Sequence, residues 1–136
     1  MITSNAKNVV LSMDIEDWYH LDYFNSSDCN KNYSLLDGID IYLQILEEHN
    51  VPSSFFVLGE IAQSLSSGLN TIINNKNDIG SHGWDHRRPI TISASEFYYE
   101  LERSKKTIED IISQPIEGYR APCFSMDRER LDEVKK

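Results

Sequence analysis

The sequence predicts an α/β fold in which helices cover a sheet of parallel strands. Short apolar runs alternate with longer segments whose apolar residues recur at helical spacing, and no hairpin signal joins consecutive strands. The 136 residues allow about four strand-helix units, whereas a closed α/β barrel usually needs roughly 200 residues or more. We therefore expect a doubly wound sheet or part of an α/β barrel, in a single domain.

The first half of the chain contains two of these units. Leu36, Ile39 and Leu43 recur at helical spacing, and Pro52 stops the helix that they indicate. Gly59 separates the second strand from the helix that follows it. The predicted elements are, in order, a strand at residues 8–13, a helix at 35–49, a strand at 53–59 and a helix at 61–73.

The second half repeats the same alternation. Ser93 or Ser95 is suited to cap a long helix, which Pro115 closes. Asp127 is the matching cap for the last helix. The predicted elements are a strand at residues 79–81, a helix up to about residue 112, a strand at 116–120 and a helix at 126–136.

Charge and composition exclude several classes of partner. The net charge of -9 repels phosphate backbones and anionic lipids, so we expect neither a nucleic acid nor a membrane surface as partner. The opening residues lack the pattern of a secretory signal, which favours a cytoplasmic protein unless a signal was removed. Cys29 and Cys123 are too few for a disulfide scaffold and are expected to be reduced thiols.

Polar residues follow three of the predicted strands. Asp14 follows the first strand, His82 the third and Arg120 the fourth. In parallel α/β folds the reactive groups lie on loops at the carboxyl ends of strands. We therefore expect these three side chains to share one rim of the sheet.

His82 and His86, in the segment SHGWDH, are the strongest candidates for metal ligands. Two imidazoles four residues apart can reach one ion, and one carboxylate completes three protein ligands with positions left for water and substrate. Zinc is the first expectation, with iron, cobalt and manganese as alternatives. The competing interpretation is that His82 caps a strand end and that residues 85–88 form a solvated loop.

Three acids after the first strand are candidates for the carboxylate ligand. If the backbone stays extended, Asp14 and Glu16 project to one side and Asp17 to the other, which favours Glu16; a turn reverses this choice. The fork-shaped guanidinium of Arg120 suits a carboxylate such as Asp14, unless Arg120 is an ordinary surface residue. His20 is placed to approach the same site.

Aromatic residues adjoin these polar positions. Flat rings that flank a polar cleft are suited to stack against sugar faces, although core packing explains most of these rings equally well. The candidate substrate-binding residues are Trp18, Trp84, Tyr119, Pro122 and Phe124.

Three segments together, LSMDIEDW, SHGWDH and GYRAPCFS, resemble the polysaccharide deacetylase family, which has the NodB homology domain and is also called carbohydrate esterase family four. The first segment resembles a bacterial subgroup with a D-[IV]-E-D motif, which is associated with cell-surface sugars. The resemblance implies a distorted (β/α) barrel, with residues 1–136 as the N-terminal part of one catalytic domain.

The resemblance also implies residue roles. It makes Asp14 the catalytic base, which Arg120 orients, and it makes Glu16 or Asp17 the acidic ligand beside His82 and His86. The implied activity is a metal-dependent hydrolase of carbon-nitrogen bonds other than peptide bonds. It removes N-acetyl, or alternatively O-acetyl, groups from a cell-surface polysaccharide or its sugar precursor by metal-activated water.

One departure from the family pattern is expected to matter. The family domain continues to a late Leu-x-x-His block that supplies a general acid, and this block is not found before Lys136. A C-terminal segment or an oligomeric partner is then expected to cover the open strand edges. The alternatives are a hydrolase of small cyclic amides or ureides with the same fold, and a non-catalytic carbohydrate-binding relative.

Overall fold

Four parallel strands form one sheet in the order β1-β2-β3-β4. The computed structural model describes residues 9–21, 23–24 and 30–135. Each strand pairs with the next one along the chain, so the winding never reverses as it does in a doubly wound sheet. The parallel sheet confirms the α/β prediction. Its sequential strand order is the arrangement expected of part of a barrel. The strands are β1 (Leu11–Ile15), β2 (Ser53–Val57), β3 (Asp78–Ser81) and β4 (Gly118–Tyr119).

Helices connect the strands, and two of their caps were predicted from the sequence. Ser93 accepts the backbone N–H of Glu96 at 3.2 Å, and Asp127 accepts that of Arg130 at 2.9 Å. No helix in the described part of the chain is long and apolar enough to cross a bilayer. The helices are α1 (Ile39–Glu48), α2 (Gly59–Ala62), α3 (Ser66–Asn74), α4 (Ala94–Ile112) and α5 (Arg128–Val134).

Several predicted boundaries were wrong. The strands predicted at residues 53–59 and 116–120 are shorter in the structure, where β2 ends at Val57 and β4 has two residues. The helix predicted at residues 61–73 is interrupted by a 3-10 turn at Gln63–Leu65, next to serines and Gly68, which are weaker helix formers than alanine or leucine. The first strand extends to Ile15 because it pairs with β2 through Val57, so Asp14 belongs to the strand and not to the following loop. Residue 8, Cys29 and residue 136 lie outside the described residues.

The two faces of the sheet differ. Ile15, Phe55 and Val57 are fully buried and form the core with α1, α3 and α4. Side chains alternate between the faces of a strand, so Asp14 and Phe56 project from the opposite face. The sheet therefore separates an apolar core from a face on which the candidate site residues gather.

Candidate active site

Residues from three strand ends meet at the carboxyl edge of the sheet, as the sequence predicts. Arg120, directly after β4, donates from Nη1 to Asp14 Oδ1 at 2.7 Å. The other carboxylate oxygen, Oδ2, lies 3.8 Å from His82 Nε2, and His82 directly follows β3. These contacts join β1, β3 and β4 at one point.

Glu16, His82 and His86 form a compact cluster beside this point. One ligand atom of each lies within 4.8 Å of the other two. Glu16 Oε2 is 2.9 Å from His86 Nε2 and 3.8 Å from His82 Nε2. The two histidines are buried, with 2% and 5% of their surface exposed. The structure thus brings together the three residues that the sequence analysis favoured as ligands.

Backbone contacts orient the His82 ring. The backbone N–H of His82 donates to the carbonyl of Val57 at 2.8 Å, and Nδ1 of the ring lies 2.8 Å from the carbonyl of Arg120. A carbonyl accepts only from a protonated nitrogen, so this contact assigns the proton to Nδ1 and leaves the lone pair of Nε2 for the cluster. Partners of this kind fix the orientation of histidine ligands in metal sites.

A tight turn brings His86 back beside His82. Gly83 and His86 have φ angles of 90° and 66°, in a region that glycine adopts more readily than other residues. Ser81 accepts the N–H of Gly83 at 3.1 Å, and the centroids of the two imidazole rings are 5.3 Å apart. The four-residue spacing therefore forms a turn, in which both rings face Glu16.

The electrostatics of the cluster favour an ionised Glu16 and a neutral His82. Burial raises the pKa of Glu16, but the contact with His86 and the charges of His86, His82 and His20 outweigh it, so this pKa is lowered. Burial lowers the pKa of His82, although Asp14, the carbonyl of Arg120 and Glu16 oppose this shift. Both shifts favour the protonation states in which these residues bind metal ions.

The donor set fits a divalent cation. With ligand distances of about 2.0–2.1 Å, two ligand atoms in a tetrahedral zinc site lie roughly 3.3 Å apart. The distances from Glu16 Oε2 to His86 and His82, 2.9 and 3.8 Å, bracket this value. Glu16 Oε2 is also inaccessible to solvent and has no hydrogen bond of normal geometry, which leaves it suited to an ion.

Arg120 is held by residues that the sequence analysis missed. Its Nη2 donates to Ser12 Oγ at 2.7 Å, and its guanidinium carbon lies 4.0 Å from the centroid of the Phe56 ring. A Cβ atom at Gly80 would lie 2.9 Å from the Phe56 ring, so the glycine allows the ring its position. The period-two alternation of β1 and β2 is the sequence signal that places Ser12 and Phe56 on the same face as Asp14.

Asp17, the alternative acidic ligand, does not join the cluster. Its carboxylate accepts the N–H groups of Trp18 and Leu35 at 2.9 and 3.0 Å, and it is buried with 3% exposure. Burial raises the pKa of Asp17, but hydrogen bonds from Ser34 and from these two N–H groups outweigh burial, so this pKa is lowered. Because the backbone is extended through Glu16, Asp17 points away from the histidines and instead caps a 3-10 helix, Trp18–His20.

The aromatic candidates are mostly engaged in packing. The Trp84 ring lies under the guanidinium of Arg103, whose central carbon is 3.4 Å from the ring centroid. Tyr119 packs on Phe97 of α4, with centroids 5.7 Å apart, and burial followed by the charge of Glu100 raises the pKa of Tyr119. Both rings thus contact side chains of α4, and their role in substrate binding stays a prediction.

The three other substrate-binding candidates differ in exposure. Trp18 donates to the carbonyl of Tyr33 at 3.0 Å and packs edge-on against Phe24. Pro122 is fully buried, whereas Phe124 is 81% exposed. Among these residues Phe124 offers the most accessible ring, and it lines a groove that also contains Arg120.

Sequence comparison identifies the family. Residues 36–136 match the family described as Polysaccharide deacetylase. The chain belongs to the polysaccharide deacetylase family. The matched segment includes His82, His86 and Arg120 but begins after Asp14 and Glu16, so the subgroup with a D-[IV]-E-D motif stays a prediction.

Curated relatives of this deacetylase domain carry related names. A "Peptidoglycan deacetylase" of Helicobacter pylori is 27% identical over 87 residues, which cover 64% of this chain and 30% of the relative. A "Chitooligosaccharide deacetylase" of Azorhizobium caulinodans is 27% identical over 94 residues, which cover 68% of this chain and 45% of the relative. The chain therefore spans less than half the length of these two relatives.

Solved structures share the fold of the deacetylase domain. The peptidoglycan deacetylase PdaC from Bacillus subtilis has a TM-score of 0.77 at 21% identity, covering 96% of this chain and 56% of PdaC. A CE4 family pseudoenzyme from Bacillus anthracis also has a TM-score of 0.77 at 21% identity, covering 96% of this chain and 41% of that protein. At this identity the likeness establishes the fold alone.

Proposed function

We propose that this chain supplies the metal site and the catalytic base of a hydrolase that removes N-acetyl groups from a glycan. The observation that carries the proposal is the position of His82 Nε2, which lies 3.8 Å from both Asp14 Oδ2 and Glu16 Oε2. The group suited to act as base therefore adjoins the group suited to bind a metal. Membership of the polysaccharide deacetylase family supports this assignment.

Glu16, His82 and His86 would hold the divalent cation, with Asp17 excluded by its hydrogen bonds to the backbone. Two imidazoles and one carboxylate are a donor set that zinc accepts, and iron, cobalt and manganese also bind such sets. A bound cation supplies Lewis acidity, which acidifies water and polarises the acyl oxygen. Zinc is our first choice because its catalytic sites often have three protein ligands of this type.

Asp14 would act as the general base. It would accept a proton from the attacking water while the water oxygen forms a bond to the acetyl carbon, and this proton would pass to the nitrogen as the carbon-nitrogen bond breaks, which gives acetic acid and a free amine. Arg120 binds Oδ1 of Asp14, so that Oδ2 of Asp14 lies on the side of His82.

A glycan fits the surroundings of the site. The net charge of -9 disfavours polyanionic substrates such as nucleic acids, whereas neutral N-acetylated sugars carry no charge to repel. The names of the relatives refer to peptidoglycan, chitin and chitooligosaccharide, all of which contain N-acetylglucosamine units. We therefore propose a cell-surface polysaccharide or its sugar precursor as the substrate.

Acetate release tests this function. The full chain is incubated with N-acetylated chitooligosaccharides, with O-acetylated xylan and with a small cyclic amide, before and after chelation and after zinc is restored. The expected result is acetate from the N-acetylated sugar, loss of activity on chelation and recovery with zinc. Ring opening of the cyclic amide without acetate release, or activity unchanged by chelation, would contradict the proposal.

A further inference from the structure

His20 and Glu60 form a contact beside the cluster of Glu16, His82 and His86. The proposed chemistry does not use this contact. His20 Nε2 lies 3.0 Å from Glu60 Oε1, and the side chain of His20 is only 4% exposed. On its other side, Nδ1 accepts the N–H of Asp17 at 2.7 Å. Acceptance at Nδ1 places the proton of the neutral ring on Nε2, which lies 3.0 Å from Glu60 Oε1 but outside hydrogen-bond geometry.

Glu60 also contacts the loop that carries the two histidines. Its backbone N–H donates to the carbonyl of Trp84 at 3.0 Å, and the N–H of Gly59 donates to that of Gly83 at 2.9 Å. Gly83 and Trp84 lie between His82 and His86 in the sequence. The first residues of α2 therefore bind the histidine loop through their backbone.

These contacts make a short connection between the two ligand-bearing segments. The N–H that His20 accepts belongs to Asp17, so His20 holds the peptide bond that immediately follows Glu16. Glu60 then links His20 to the carbonyl of Trp84. The segments after β1 and β3, whose side chains must meet around one ion, are thus joined through a single residue of α2.

Helix capping explains only part of this arrangement. Asp17 and His20 form a capping box at the start of the 3-10 helix, in which the side chain of each accepts the backbone N–H of the other. This capping box accounts for the hydrogen bond at Nδ1 of His20. It does not account for a carboxylate at Nε2. The side chain of Glu60 is 37% exposed, so neither capping nor burial requires its carboxylate to lie 3.0 Å from the buried imidazole.

We propose that Glu60 and His20 are positioning residues that set the distance between Glu16 and the pair His82 and His86. This inference rests on the metal site proposed above. Polar partners behind metal ligands commonly change metal affinity when they are replaced, by about 10- to 100-fold. The side chain of Glu60 is required here only to place an oxygen beside His20 Nε2, so an amide oxygen is expected to substitute for the carboxylate.

Zinc affinity of the full chain, measured by competition with a chromophoric chelator, tests the inference. Glu60→Leu is expected to bind zinc about 10- to 100-fold more weakly than the unmodified protein, and Glu60→Gln is expected to stay within about threefold of it. Glu102→Leu, an exposed glutamate on α4, is the matched control and is expected to leave affinity unchanged. The unfolding temperature of each metal-free variant shows whether a loss of affinity reflects a loss of folding.

Weaker binding by Glu60→Leu, with rescue by Glu60→Gln and an unchanged unfolding temperature, supports the positioning role. If the unmodified protein binds zinc and Glu60→Leu binds it equally well, the positioning role is wrong while the metal site stands. If the unmodified protein binds no zinc, the metal site fails and the positioning role fails with it.

Discussion

Arg120 and Asp14 are joined by a 2.7 Å hydrogen bond although 106 residues separate them in the chain. Ser12 binds the second nitrogen of the guanidinium, and the ring of Phe56 lies against its flat face. The guanidinium of Arg120 is therefore held by two further contacts besides the one with Asp14. Because Asp14 lies within β1 and not in a loop, both partners of the pair have little freedom to move.

Asp14→Asn is expected to lower acetate release by about 100- to 10,000-fold, because an amide cannot accept the proton from water. Zinc affinity is expected to change far less, since Glu16, His82 and His86 hold the ion. Initial rates and a zinc titration of the same preparation measure both quantities. Asp37→Asn, in the turn before α1, is the control, and equal activity of the two variants would argue against Asp14 as base.

Arg120→Lys is expected to lower kcat by about 10-fold or more, because a single ammonium group cannot bind Asp14 and Ser12 together as the guanidinium fork does. The positive charge is kept, so the loss reports on orientation. Steady-state kinetics on an N-acetylated oligosaccharide measure it. Arg128→Lys at an exposed position serves as control. A fully active Arg120→Lys variant would show that charge alone suffices.

Gly80→Ala is expected to destabilise the fold by about 1–3 kcal/mol, the usual cost of an overpacked methyl group. The added Cβ would lie 2.7 Å from the carbonyl oxygen of Gly118 and 2.9 Å from the Phe56 ring. Gly68→Ala is the contrast, because its Cβ meets open space within α3 and is expected to stabilise the helix by about 0.5–1 kcal/mol. Urea unfolding measures both, and equal stabilities would contradict the packing at Gly80.

Glu109→Gln is expected to lower the free energy of unfolding at pH 7 by about 1 kcal/mol. Glu109 pairs with Lys105 and accepts the N–H of Ile116 at 2.9 Å. The hydrogen bond from Lys105 lowers the pKa of Glu109 below its ordinary 4.5; burial opposes this shift, and the N–H of Ile116 adds to it.

A lowered folded-state pKa means that the ionised carboxylate stabilises the protein above about pH 4.5 and loses this effect as the pH falls through the folded value. The difference between wild type and Glu109→Gln is therefore expected to be full at pH 7 and to shrink below about pH 4.5. Urea unfolding at several pH values measures it. Glu117→Gln, which is exposed, is the control, and a difference that does not depend on pH would refute the ion pair.

Local sequence patterns were sufficient to predict the strand-helix alternation and the shared rim. Hydrophobic spacing and capping residues act over a few positions, which is why the Ser93 cap of α4 was predicted. Period-two alternation also selected Glu16 over Asp17, since β1 stays extended. The family match and the parallel sheet agree with the resemblance carried by the three motifs.

Contacts between distant segments could not be predicted in this way. Glu60 meets His20 only because the start of α2 lies between two loops, and nothing within either segment indicates that contact. Trp84 adjoins polar residues in the sequence, but Gly59 and Arg103 enclose its ring away from the rim. The contact between Trp84 and Arg103 of α4 is likewise formed by residues 19 positions apart, which no local pattern indicates.

The most direct test of the account is X-ray absorption spectroscopy of the zinc-loaded chain, compared with His86→Gln and with His49→Gln as control. A site formed by Glu16, His82 and His86 predicts one zinc per chain with nitrogen and oxygen ligands at about 2.0–2.1 Å, including two imidazoles. One imidazole is expected to be lost in His86→Gln and none in His49→Gln. A sulfur ligand, or a spectrum of His86→Gln identical to that of the unmodified protein, would contradict a site formed by Glu16, His82 and His86.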